Sequence, residues 1–581
     1  MAYQLRWEGG PLELMRRQSL GSFALGNPPL EKAITHWYDP STVQYLKDLQ
    51  VDAVWLTWSV GLPTQEEEMF DVTVASYIVQ CHQAGIRVFA TISAGHRLVH
   101  VGEILTHENR ILRDLHGKKV DCPTLGAPTL SLRCYQTDLG DADWRGHVLS
   151  RSRAAIRAGA DGIALDDLWS PCYDGKLAAG FANAIQEGLT RRSTLSKDHA
   201  GTASQSTTPV IPILDRTFLG EPWTAPWLVL NMGIWPGVRS STASFEEGEV
   251  VVAGASQSPW INSNLGILHC RQSLSASRPF ALAYPDNSAK LDHPIPIPRG
   301  ALPLAVAEAA AFNTASVLDL DDRLRQGLAE SEPRTLEQWK TLKRYFEFFK
   351  RHPDLGDMKP VANIVVAVKD WDHADEMLNL MSRRRLLYDV VSAGQLSKAL
   401  LEPCALLIVE PSEPLAPGVL DDIIRFIDRG GMVVTTTTNL VSMGRPPMFQ
   451  SVEETPEKTL YSVGKGKWLV YQHGFPDPDS FASEMKVLLG RDQQSIRMWN
   501  ASTVLCHLAQ SIDTREQALH LFNYGIEPVE ELQVQVKGSF RQGLMWAPDF
   551  PEPVPLQLSF GTNTTEFTIP RLNIYGLVLL Q

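Results

Sequence analysis

Residues 159–169 read GADGIALDDLW. The run GIAL is apolar on both alternating faces, and two carboxylates, Asp166 and Asp167, follow it at once. A strand that is apolar on both faces is covered on both, by side chains within and by helices outside, as in a parallel sheet. In a (β/α)8 barrel the βα loops converge where the strands end, so acidic groups at that point are the first candidates for chemistry. The helical stretch HVLSRSRAAIRAGA (147–160) leads directly into this strand, as a crossover helix should.

Outward from this segment, seven further apolar runs alternate with helical stretches: AITHWYD (33–39), VDAVWLTWS (51–59), IRVFATIS (86–93), VIPIL (210–214), WLVLNMG (227–233), EVVVAGASQ (249–257) and PFALAY (279–284). With DGIALDD (161–167) they make the eight strands of a (β/α)8 TIM barrel over residues 1–320. Residues 335–351 read as a helix beginning at a Thr335/Gln338 capping box, within a connecting segment 321–360. From VANIVVAVK (361–369) a second alternation runs through ALLIVEP (405–411) to MVVTTTT (432–438), the pattern of a doubly wound α/β domain over 361–492. Beyond it, ALHLFNY, ELQVQVKG and TEFTIPRLNIYGLVLL alternate with period two between turn residues and predict an antiparallel β-sandwich over 493–581.

The chain has 581 residues, long enough for several cores, and its 53 basic against 66 acidic residues give a formal charge of −13. That field disfavours nucleic acid and anionic membranes as partners. The opening residues do not read as a secretory signal, and no run is long enough for a transmembrane helix, so a cytoplasmic protein is expected. Seven scattered cysteines without a CxxC pair fit neither a disulfide framework nor a zinc site. His96, His100, His107 and His116 lack the spacing of metal ligands, and no glycine-rich phosphate cradle appears, so neither metal nor cofactor is expected.

DGIALD (161–166) resembles the fourth-strand pattern of retaining barrel glycosidases, including the α-galactosidase and α-glucosidase clans and the α-L-fucosidases, and the resemblance implies that Asp166 is the nucleophile. Those families usually carry Trp, Lys or Tyr just before that Asp, where Ala164 and Leu165 stand here. The order of barrel, amidotransferase-like α/β domain and small sandwich resembles the β-galactosidases with a trimerisation domain, which implies a homo-oligomer. Those enzymes use two Glu residues, one after an Asn at the fourth strand, and DDLW has neither. The α/β domain lacks the amidotransferase nucleophile turn, with Cys404 placed before its strand, and is read as structural.

The expected function is therefore a glycosidase releasing a terminal sugar, with Asp166 and Asp215 as its catalytic pair and Glu221 as a substitute for Asp215. Sugar contacts are expected from Asp167, Trp169, His36, Trp37, Asp39, Trp58, His96, Arg97, Arg133, Asn231, Trp235 and Asp286. Two alternatives stand beside it. One is an inverting, sialidase-like enzyme on an acidic sugar using Asp39. The other is an inactive carbohydrate-binding or assembly protein.

Overall fold

A computed structural model describes residues 3–19, 28–100, 110–114, 116–121, 132–166, 175–195, 210–214, 228–230, 243–246, 249–252, 263–274, 280–282, 300–313, 315–320, 322–353, 355, 358–368, 374–410, 417–437, 450–514, 516–525 and 527–581. They fall into two compact units, one of residues 1–234, 278–309 and 314–347, the other of 235–277, 310–313 and 348–581.

The first unit is a closed barrel of parallel strands in chain order: β1 (Tyr3–Arg6), β2 (Ala53–Ser59), β3 (Arg87–Ser93), β4 (Gly162–Asp166), β5 (Val210–Leu214), β6 (Leu228–Leu230), β7 (Phe280–Leu282) and β8 (Ala315–Asp319), which returns to pair with β1. Register sets what fills the lumen. Gln4 lies opposite Ala53, Trp55 opposite Phe89, Thr91 opposite Ala164, and Gln4 again opposite Val317. Ala53, Trp55, Phe89, Ala164 and Val317 pack together as a buried plug, and the Trp55 indole donates to the Gln4 side chain at 2.8 Å. Because side chains alternate along a strand, the next inward positions toward the C-terminal mouth include Arg6, Thr57, Ser93 and Asp166.

Two of the expected barrel strands are corrected. AITHWYD is not a strand: Pro28–Thr35 is a helix, whose Pro and Glu31 sit in the first turn as helix starts favour, and residues 36–39 form the turn after it. Of EVVVAGASQ, the described residues Glu249–Val252 pair antiparallel with Ala243–Glu246 in the second unit. Their places in the barrel are taken by β1 and β8. The helix expected from Thr335 starts at Pro333, and the Thr335 hydroxyl donates to Glu332 at 2.8 Å.

In the second unit, Tyr388–Val391, Ile364–Ala367, Leu406–Val409, Met432–Thr436 and Gly466–Tyr471 lie in that order as a parallel sheet, extended by antiparallel strands Lys458–Val463 and Gln450–Glu454. Counted along the chain, the parallel strands run 2-1-3-4-5, a doubly wound order. A six-stranded antiparallel sheet, with Gln517–Asn523 and Tyr575–Leu580 at its centre, and a four-stranded one built on Val529–Lys537 and Thr564–Leu572 share a single apolar core.

On the other face of the six-stranded sheet, His507 of Val504–Gln510 lies opposite His520 of the neighbouring Gln517–Asn523, and the helix Leu265–Leu274 brings the His269 ring centre to 5.4 Å from that of His507. All three are buried among Phe312, Tyr388, Phe522 and Tyr575. Burial pushes the His507 imidazole down to about 3, and burial with His507 beside them pushes His269 and His520 well below the usual histidine range. Each folded-state value lies below the ordinary 6.5, so the stability these groups contribute is complete above that pH and is lost as pH falls. We expect about 1 kcal/mol lost per histidine between pH 6.5 and 5.5, read as a falling urea midpoint. An unchanged midpoint over that interval would contradict the burial of the cluster.

Candidate active site

The barrel mouth is built from the ends of β1 and β4. Arg6 leaves β1 inward and its Nη2 reaches Asp166 Oδ2 at 2.6 Å. The same nitrogen donates to Glu8 Oε1 at 2.8 Å. Arg6 and Asp166 are each 4% exposed and Glu8 3%, so this arrangement is withdrawn from bulk water, and charges attract more strongly there than in solvent. Two carboxylates on one nitrogen can be no farther apart than the two bonds laid end to end.

The charges continue along the helix Gly10–Ser19. Glu13 receives Arg16 at 2.9 Å and Arg17 at 2.7 Å, the i,i+3 and i,i+4 neighbours that a helix places on one side. Thr57 donates to Glu13 at 3.1 Å, and Arg17 also pairs with Asp322. Burial alone would raise the Glu13 carboxyl, but Arg16 and Arg17 outweigh it and hold the group well below the usual carboxylate range. Arg325 donates to the carbonyls of Glu8 and of Leu320. The turn out of β1 also depends on glycine: Gly10 has φ +80°, and a Cβ on Gly9 would lie 2.5 Å from Trp37.

A second buried cluster fixes the loop after β2. Glu67 accepts from the Ser59 hydroxyl at 2.7 Å and from the backbone of Val60 and Leu62 at 2.7 and 3.1 Å, with Arg151 at 3.0 Å. Arg151 also pairs with Asp71 at 2.6 Å. Burial raises the Glu67 carboxyl despite Arg151. Next to β3, the backbone of Ala94 donates to the Asp166 carbonyl at 3.0 Å, and the Ala94 carbonyl takes the Trp144 indole at 2.7 Å and the Thr137 hydroxyl at 2.8 Å. Through Ala94 the Asp166 carbonyl is thereby linked to the helix Ala142–Arg157 and to the hairpin of His96–His100 with Leu132–Gln136.

Of the residues expected from sequence, Asp166 stands where it was placed, at the end of β4. His96 and Arg97 are buried in the hairpin strand that follows β3, while Arg133, on the facing strand, is exposed. Trp58 does not face the mouth: it is buried with the Arg151 guanidinium 5.4 Å from its ring, on the helix-covered side of β2. His36, Trp37 and Asp39 do not end a strand. His36 is exposed and bonded to the Lys32 carbonyl at 2.9 Å, and Trp37 is core, its ring 4.4 Å from Trp7. Asp39 caps the turn Pro40–Thr42, and its bonds from Ser41 hold its carboxyl below the usual range. Their neighbour Tyr38 does reach the mouth, where its hydroxyl accepts from the backbone of Thr57 at 2.8 Å and of Gly9 at 3.2 Å. Asp215, Glu221, Asp167, Trp169, Asn231, Trp235 and Asp286 lie outside the described residues.

The sequence reading missed Arg6, Glu8, Glu13 and Arg17. The available signal was YQLRWEGG, a short alternating run ending in a glycine pair. The cysteine reading is corrected at one position, since Cys134 is disulfide-bonded, whereas Cys81, Cys270, Cys404 and Cys506 are not in disulfides. The Cys404 thiol donates to the Leu400 carbonyl at 3.1 Å, and burial with Asp389 nearby pushes it up to about 12, unlike a nucleophilic cysteine. Among the described residues no three His, Cys, Asp or Glu side chains converge as metal ligands would, and no helix is long and apolar enough to cross a membrane.

This arrangement of barrel, α/β sheet and antiparallel sheets recurs in solved structures. An α-L-fucosidase, isoenzyme 2 from Paenibacillus thiaminolyticus, superposes with a TM-score of 0.61 at 12% identity, over 93% of this chain and 95% of that one. The β-galactosidase from Bacillus circulans sp. alkalophilus gives 0.60 at 11% identity over 100% and 99%. The chain shares its fold with these two enzymes. A GH42 β-galactosidase from G. stearothermophilus adds 0.56 at 11% identity over 100% and 98%, so the architectural resemblance to β-galactosidases holds along the whole chain. No protein-family model matches the sequence, and comparison with curated proteins finds no relative.

Proposed function

We propose that this protein is a glycoside hydrolase that releases a terminal sugar, with Asp166 as nucleophile or as stabiliser of the oxocarbenium-like transition state. The observation that carries the proposal is the buried Asp166 carboxylate at the C-terminal end of β4, held by Arg6 at 2.6 Å. A carboxylate facing a guanidinium is suited to work as an anion, attacking the anomeric carbon or balancing its developing charge, while another group protonates the departing oxygen. Asp215, next in the chain after β5, is the proposed acid/base. Glu8 shares the Arg6 nitrogen at 2.8 Å and is given a positioning role, because the guanidinium that faces Asp166 faces it as well. Asp167, Trp169, Asn231, Trp235 and Asp286, together with His96 and Arg97, complete the proposed sugar contacts.

The proposed layout keeps the barrel (1–320) catalytic and assigns the segment 321–360, the α/β part (361–492) and the sandwich (493–581) to linkage and assembly. A homo-oligomer is part of the same reading, and light scattering after size exclusion tests it. A sialidase-like variant built on Asp39 has little support, because that residue is exposed and occupied in capping. One observation favours a binding protein instead: Asp166 is already engaged by Arg6, so a sugar must share or displace that bond.

The test is hydrolysis of a panel of aryl glycosides containing galactosides, fucosides, other neutral hexosides, uronides and sialosides. We expect turnover of a neutral sugar, in line with the fucosidase and β-galactosidases that share the fold. Saturable sugar binding with no cleavage of any member would replace this proposal by the binding reading.

A further inference from the structure

The chain carries a net negative charge, yet one cavity in the second unit is lined by cations. It encloses about 250 Å³ among Arg385, Lys486, Arg491, Arg497 and the aromatic Trp499, and no acidic side chain lines it among the described residues. The residues come from three places. Arg385 follows the helix Asp375–Arg383, Lys486 lies in the helix Pro478–Leu489, Arg491 stands in the turn Arg491–Gln493, and Arg497 lies on the strand Ile496–Trp499.

None of these four cations forms an ion pair among the described residues, whereas the adjacent Arg384 takes Asp479 at 2.8 Å. Arg385 is anchored by donating to the carbonyls of Val504 and Ala501. Its backbone sits at φ +60°, where glycine is the usual occupant after a helix, so the fold accepts strain to place a guanidinium here. The Arg497 guanidinium lies 4.9 Å from the Trp499 ring centre, which orients its fork. Burial, and then the positive charges of Arg385, Arg384 and Arg497, lower the Lys486 ammonium from its ordinary value. Like charges crowded in a partly buried cavity repel one another, and a bound anion relieves that repulsion.

The geometry points to a binding site for a small phosphate-bearing ligand, separate from the barrel mouth, with Lys486 and Arg491 as point-charge and fork donors and Arg385 and Arg497 as fixed walls. Phosphate suits this set because three acceptor oxygens can be met by guanidinium forks approaching from different elements. The volume lies near the lower end of small-molecule pockets, which suits a single phosphorylated metabolite. Trp499 at the rim offers a flat face to whatever carries the phosphate.

Calorimetric titration of the full-length protein at constant ionic strength tests the assignment, using inorganic phosphate, glucose 6-phosphate, glucose and citrate as probes. Saturable binding of a phosphate-bearing probe, no response to glucose, and a Kd raised at least about tenfold in Lys486→Gln/Arg491→Gln are the expected results. Tighter binding of glucose 6-phosphate than of inorganic phosphate identifies an ester as the ligand, and equal binding identifies free phosphate. Arg491→Gln alone, at an exposed position, supplies a second variant with an intact fold and an expected loss of severalfold. The assignment is overturned if phosphate binds the wild type and both variants equally, if neither phosphate-bearing probe saturates, or if citrate binds more tightly than both.

Discussion

Asp166→Asn is expected to lower kcat/KM on the glycoside that the protein cleaves by about 10³-fold or more, roughly 4 kcal/mol of transition-state stabilisation. The substitution keeps the shape of the side chain and removes its charge. Arg6 is not left alone, because Glu8 still accepts from the same Nη2 at 2.8 Å, so the barrel mouth keeps an ion pair and the fold survives the change. A far-ultraviolet spectrum and a denaturant midpoint close to those of the wild type would show that the lost rate is chemical. Loss of the nucleophile should depress every glycoside alike. Loss of an acid that protonates the leaving oxygen should depress poor leaving groups most, since a good one needs little protonation. Asp215→Asn, compared across leaving groups, therefore tests the proposed acid. Wild-type rates in Asp166→Asn would remove this residue from the mechanism altogether.

Arg151→Ala is the substitution expected to cost most in stability, about 3–5 kcal/mol. Arg151 is buried and holds Glu67 and Asp71 from one guanidinium, with a further bond to the Trp58 carbonyl at 3.2 Å. Removing it strands the Glu67 carboxylate in the interior, and the desolvation that already raises that group then goes unopposed by a cation. Glu67→Gln in the same background should return part of the loss. The amide oxygen can still accept from Val60 and Leu62, and no charge is left buried. A urea midpoint series over the single and double variants measures this, and strict additivity of the two changes would contradict the coupling.

These effects centre on elements that differ greatly in how openly the sequence announces them. The second, third and fourth strands are legible because VDAVWLTWS, IRVFATIS and GIALD are apolar on both faces, as a sheet enclosed by its own helices requires. The first strand is not, because two of its four residues, Gln4 and Arg6, are polar and face the lumen, where one serves Trp55 and the other serves Asp166. AITHWYD imitates a strand through its aromatic residues, but Trp37 packs on Trp7 and Tyr38 on Tyr77, and a turn places them. For the candidate site, a carboxylate ending an apolar strand gives itself away, which is why Asp166 could be read. The arginines that complete it could not, since nothing in a single sequence says which of many surface-type residues will be buried together.

Closure of the barrel through β1 and β8 has a consequence for how the chain is made. Tyr3 pairs with Ser316, so the first strand must wait on the ribosome until more than three hundred further residues have emerged, roughly 15–60 s at ordinary rates of translation. The helix Leu265–Leu274 waits as well, since the rings that bury its His269 include Tyr388 and His507, which are synthesised much later. Nascent chains halted between these points expose both surfaces, and they are the ones that should depend on chaperones.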